Sequence, residues 1–155
     1  MHHLFNHIKK YIKIILFSFL GVFFVSSSNA ELTIEEIVKS RQALFSKNYS
    51  TAKRVQAFSS KGDFEKAKKL MIEMSENYKV LLDLFPENTQ EGFNTEALPI
   101  IWKEKETFNA LMQKASDDMI KLTSLIKETE DTRGTIKQLM WSNCKACHNR
   151  YRMPH

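Results

Sequence analysis

Between Phe64 and Phe85 seven side chains, Phe64, Ala67, Met71, Met74, Tyr78, Leu81 and Phe85, follow one another at alternating steps of three and four. That alternation lines all of them along one seam of an α-helix, and such a seam is buried by packing lengthwise against other helices. Breakers are scarce: beyond position 30 the chain has only Gly62, Gly92, Gly134, Pro86, Pro99 and Pro154. Long, uninterrupted helices are therefore predicted.

Three further helices join this one, which is expected over about 63–84 with Asp63 as its cap. The stretch Thr33-Ile34-Glu35-Glu36 is a capping box, in which hydroxyl and carboxylate satisfy each other's backbone amides, so a first helix is predicted over 33–60, closed by Gly62. Its apolar face reads Ile34, Ile37, Val38, Leu44, Phe45, Tyr49, Ala52, Val55 and Phe58, interrupted by Arg41, whose simplest role is to snorkel to solvent. A third helix, with Pro99 in its first turn, is expected over 98–127, its face marked by Ile101, Phe108, Leu111, Met112, Ala115, Met119, Leu122 and Ile126. The last is expected over 131–152, with Ile136, Leu139, Met140, Cys144, Cys147 and Tyr151 on one side. The stretch from Pro86 to Ala97 has no period and is long for a helix-to-helix connection, so something must hold it down. Four helices with two short connections and one long one predict an all-α fold, an antiparallel four-helix bundle.

The first thirty residues stand apart. Lys9, Lys10 and Lys13 precede an uncharged run from Ile14 to Val25, and Ser28 and Ala30 are small residues placed for cleavage. This is the layout of a secretory signal peptide cut after Ala30, and the run is shorter than the ~20 residues that span a bilayer. Residues 31–155 are then one exported domain, expected in the periplasm and off the membrane. Of 23 Lys and Arg, three lie in the leader, leaving 20 against 18 Asp and Glu, which is no basic stripe for nucleic acid.

The chemistry sits near the end, at Cys144-Lys145-Ala146-Cys147-His148. C-x-x-C-H is the attachment sequence of c-type haem. On a helix, residues at i, i+3 and i+4 share a face, so both thiols can add to the haem vinyl groups while the imidazole reaches the iron from the same side. Two alternatives are weaker. A thioredoxin-like pair wants a strand before it, where Ile136 to Trp141 reads as helix; a zinc site through Cys144, Cys147, His148 and His155 lacks the usual paired spacing. Haem c with His148 as axial ligand is the expected cofactor.

The other face of the iron decides the function. Beyond the leader the only histidines are His148 and His155, and His155 and Met153 lie too near the motif to reach round the macrocycle. Met71, Met74, Met112, Met119 and Met140 all fall on faces that read as core. On the first helix the residue expected over the iron is Phe45, whose ring has no atom able to ligate. A five-coordinate, high-spin iron in an apolar pocket is the leading expectation, with a low-spin, six-coordinate electron carrier as the alternative.

With Arg41-Gln42, Phe85-Pro86, the segment Thr95-Glu96-Ala97-Leu98-Pro99-Ile100-Ile101-Trp102, Phe108, the C-x-x-C-H motif and Arg152 in this order, the chain resembles a cytochrome c prime, a class II c-type cytochrome, over residues 31 to 152. The resemblance implies haem propionates met by Arg41, Gln42 and the Thr95-Glu96 loop, Arg152 beside the proximal histidine, and Phe45 at the distal position, where leucine or methionine is more usual. It implies binding of nitric oxide and carbon monoxide, single-electron exchange with a partner protein, and a homodimer through the first two helices, to which Val55 and Phe58 could contribute. No acid-base pair accompanies the motif, so a catalytic enzyme is not expected.

Overall fold

A computed structural model describes residues 31–154. The leader reading, its cleavage site and His155 lie outside these residues. Helix α1 runs Ile34–Ser60 and α2 runs Phe64–Leu82. The expected third helix is two pieces, α3 (Ile100–Lys103) and α4 (Lys105–Leu125). The expected fourth is α5 (Thr132–Ile136), a wide π turn (Lys137–Trp141) and α6 (Ser142–Tyr151). Helix α1 packs on α2, α2 on α4, and α4 on α6, with α5 returning to α1, which closes a four-helix bundle.

The ends form as local chemistry dictates. Thr33 accepts from the Glu36 amide while the Glu36 carboxylate accepts from the Thr33 amide, completing the capping box. At the other end of α1, Gly62 takes φ +74°, a left-handed turn that lets Asp63 donate back to Phe58 at 3.0 Å. Asp63 then caps α2 by accepting from Lys66.

The seam on α2 is the centre of the core: Ala67, Met71, Met74 and Leu81 are fully buried, as are Met119, Leu122 and Ile126 opposite them on the α4 side. Helix α1 departs from expectation. Its inward face carries Asn48, Thr51 and Ser59 as well as Val38, Ala52 and Val55, whereas Tyr49, read as core, is 56% exposed. Val55, offered above as a surface for a second copy, is completely buried; the large exposed apolar side chains of the first two helices are Ile34, Tyr49, Ile72 and Val80.

Two breaks shape the cysteine end. At Glu104 the backbone leaves helical geometry (φ −121°, ψ 38°), and the carboxylate there accepts from Arg150 Nε (2.7 Å), Arg150 Nη2 (2.6 Å) and the Tyr151 hydroxyl (3.1 Å). The kink thus turns an acidic side chain onto α6. The π turn takes one residue more than an α turn, which rotates everything downstream by about 100° and sets the face on which the cysteines project. The tail is clipped to the long connection: Leu98 donates to the Tyr151 carbonyl at 2.9 Å and Met153 to the Glu96 carbonyl at 2.8 Å, around a single bridge between Ala97 and Arg152.

Candidate functional site

The long connection is held down by Arg41. Its side chain is 2% exposed, and the guanidinium donates to the Leu84 carbonyl (3.3 Å), to Thr89 Oγ1 and the Thr89 carbonyl (2.9 Å each) and to Thr95 Oγ1 (2.6 Å). It also stacks 4.7 Å above the Phe85 ring. Burial pulls its pKa down to about 10, which leaves it charged at neutral pH. Instead of snorkelling, Arg41 ties α1 to the connection.

The residue beside it completes the clamp. Gln42 Nε2 donates to the carbonyls of Asn94 (3.0 Å) and Phe93 (3.5 Å). Gly92, Phe93 and Asn94 all have positive φ, +86°, +51° and +56°, a run that side chains other than glycine's resist. The clamp holds that strained apex in place. Glu96 pairs with Arg152 at 2.7 Å. Arg41 and Gln42 with Thr95, and Glu96 with Arg152, thus make two adjacent sets of polar contacts that tie α1 and the tail to the connection.

Next to this network a cleft opens between α1, α2, α4 and α6. Its empty space is about 490 Å³, counting the part continuous with solvent. Asn143, Cys144, Cys147 and His148 line it from α6 and Phe45, Asn48 and Tyr49 from α1; Tyr78 and, on α4, Leu111, Met112 and Ala115 complete the wall. The motif and the expected distal residue thus share one cavity. Phe45 reaches it over the Phe85 ring, centroids 6.4 Å apart and edge-on. Asn143 steadies α6 just before the motif, donating to Asp118 Oδ2 and to the Leu139 carbonyl, both at 2.8 Å.

Both cysteines are half-buried, and no disulfide joins them. Burial, and then the neighbouring Cys144, pushes the Cys147 thiol up to about 11; burial likewise raises Cys144, whose sulfur lies 4.0 Å from the Tyr78 hydroxyl. A disulfide oxidoreductase lowers its attacking thiol. These thiols have the opposite setting, that of groups standing in an apolar cavity. The cavity's apolar lining, its two thiols and its imidazole suit a porphyrin: sulfur for the vinyl edge, nitrogen for the iron, hydrocarbon for the ring.

Sequence reasoning missed Asn48 and Asn143 as wall residues, and read Tyr49, Tyr78, Leu111 and Ala115 only as apolar helix faces. Asn48 was within reach, since it lies at i+3 from Phe45 and i+7 from Arg41, on the same helical face. Of the five methionines weighed as iron ligands, Met112 is the one among the lining residues.

A family model described as cytochrome c′ matches residues 36–152. The cytochrome c′ of Rhodopseudomonas palustris is 27% identical over 120 residues, spanning 76% of this chain and 82% of its own length. The crystal structure of cytochrome c′ from Rubrivivax gelatinosus superposes with a TM-score of 0.65 at 23% identity, covering 77% of this chain and 96% of that one. A ferrous variant of the Alcaligenes xylosoxidans protein, solved with nitric oxide bound, gives 0.68 at 22% identity, covering 81% and 99%.

Proposed function

This chain belongs to the cytochrome c′ family, proteins with covalently attached haem c that bind gas ligands and transfer electrons, and from that premise we propose that it keeps one axial position of its iron open to diatomic gases. The observation that carries the reading is the wall facing the motif: one cleft holds Cys144, Cys147 and His148 on α6 and, on α1, a phenyl ring with no ligating atom.

Cys144 and Cys147 would hold the haem through thioethers and His148 would ligate the iron. The haem, when bound, supplies a redox-active metal able to take a small ligand. The chain does the selecting. Phe45 crowds the space on the α1 side, so that only slim ligands enter, and Leu111 and Ala115 keep water out. Arg41, with Gln42, Thr95 and Glu96, fixes the connection beside the cleft; in this reading those residues form the propionate side, and Arg152 stands at the proximal end of α6. Nitric oxide is the proposed ligand, supported by the ferrous Alcaligenes xylosoxidans variant whose structure holds it, with carbon monoxide as a probe. Single-electron exchange with a partner protein uses the same iron.

The location is proposed as the periplasm, after removal of residues 1–30; no helix among the described residues is long and apolar enough to cross a membrane. A homodimer is proposed through α1 and α2, where Ile34, Ile72 and Val80 are exposed.

A second reading has one specific support. Met112 lines the same cleft, and its thioether as a sixth ligand would make a low-spin electron carrier. Absorption spectra of the reduced protein separate the two. A high-spin ferrous spectrum that changes on adding carbon monoxide is expected; a low-spin spectrum that does not respond removes the gas-binding reading.

A further inference from the structure

Asn48 stands one turn beyond Phe45 on α1, lines the cleft, and is only 4% exposed. Its Oδ1 accepts a hydrogen bond from Asn77 Nδ2 of α2 at 2.8 Å. That bond orients the amide, committing the oxygen to α2 and turning the two N–H groups of Nδ2 elsewhere. Nδ2 is itself buried and has no hydrogen-bond partner among the described residues.

A buried, unpaired amide donor is costly, and nearly all such groups in folded proteins find a partner. Two neighbouring polar side chains of the wall are engaged elsewhere: Asn143 donates to Asp118 and to the Leu139 carbonyl, and the Tyr78 hydroxyl meets the Cys144 sulfur. The bond to Asn77 accounts for the oxygen of this amide and leaves its nitrogen without a role in the bundle. The partner is therefore to be sought in what the cleft holds.

We propose that Asn48 donates a hydrogen bond through Nδ2 to the outer atom of a polar ligand in this cleft, biasing the site toward anionic or hydrogen-bond-accepting small ligands over carbon monoxide. Phe45 sets the size of the ligand and Asn48 its polarity. Asn77 acts at one remove, by fixing the amide so that a donor, not an acceptor, faces the ligand. The proposal rests on the open axial position argued above.

The test compares the haem-loaded wild-type protein with Asn48→Leu, and with Asn48→Ala in case leucine does not fit. The C–O stretching frequency of the ferrous carbon monoxide complex reports a donor near the oxygen directly. The expected result is a higher frequency in both variants, with azide affinity of the ferric protein falling about tenfold, the effect of one hydrogen bond to a charged acceptor. Carbon monoxide affinity should fall far less. Identical stretching frequencies and equal azide affinities in variants and wild type would overturn the proposal while leaving the open iron standing. A wild-type protein that takes up no carbon monoxide would instead overturn the open-iron reading, and the hydrogen bond with it.

Discussion

Two stretches of α1, barely a turn apart, are finished in different ways. At Arg41 and Gln42 the chain satisfies its own polar groups: five hydrogen bonds run to the connection and one to Leu84 just before it, and the guanidinium lies over Phe85. At Phe45 and Asn48 it does not, since one side chain offers only a ring and the other an amide donor with no partner among the described residues. A saturated polar network marks residues that hold the fold, and an unsatisfied one at a cavity marks residues that await a ligand. Both belong to one helix face, so substitutions can separate the two roles.

The largest effect is expected at the motif. Replacing Cys144 and Cys147 together by alanine should abolish covalent haem, read as loss of haem stain on a denaturing gel, because no other cysteine exists in the chain. Phe45→Met comes next: a thioether in place of the phenyl should convert the ferric protein from high to low spin with little change in stability. An unchanged spectrum would place Phe45 away from the iron and break the contrast at its ligand-facing end.

Arg41→Leu tests the other end. It leaves the carbonyls of Leu84 and Thr89 without their donor and should cost about 3 kcal/mol in urea unfolding of the haem-loaded protein. If haem spin state also changes, the clamp and the pocket are coupled more tightly than the geometry requires. Arg41→Lys should recover only part of the loss, since one ammonium cannot reproduce the fork.

The smallest effect is expected at Glu104. Hydrogen bonds from Arg150, and then Tyr151, hold its carboxyl below the usual carboxylate range. A depressed folded-state pKa contributes stability above the unfolded value of about 4.3 and loses it as pH falls through the folded value. Wild type should therefore be slightly more stable than Glu104→Gln at pH 7, with the gap closing in acid, as thermal melts at several pH values can measure.

The helical seam of α2, the capping box at Thr33, the left-handed Gly62 and the haem motif were legible because each is decided within a few residues. What was not legible depends on distant partners. Asn48 is inside because Asn77, on another helix, receives it, while the larger and more apolar Tyr49 is left to pack edge-on against Trp141, 6.1 Å away. The break at Glu104 goes with an ion pair to Arg150, a distant partner that no local pattern announces. Arg41 read as an interruption of an apolar face because its acceptors arrive from a connection that has no period of its own.

The most direct measurement is an electron-density map of the reduced, haem-loaded protein. The expected map shows His148 bound to the iron from α6 and, on the α1 side, the Phe45 ring with no protein atom at bonding distance. Density joining the iron to the Met112 sulfur, or to any other side chain of the bundle, would contradict it.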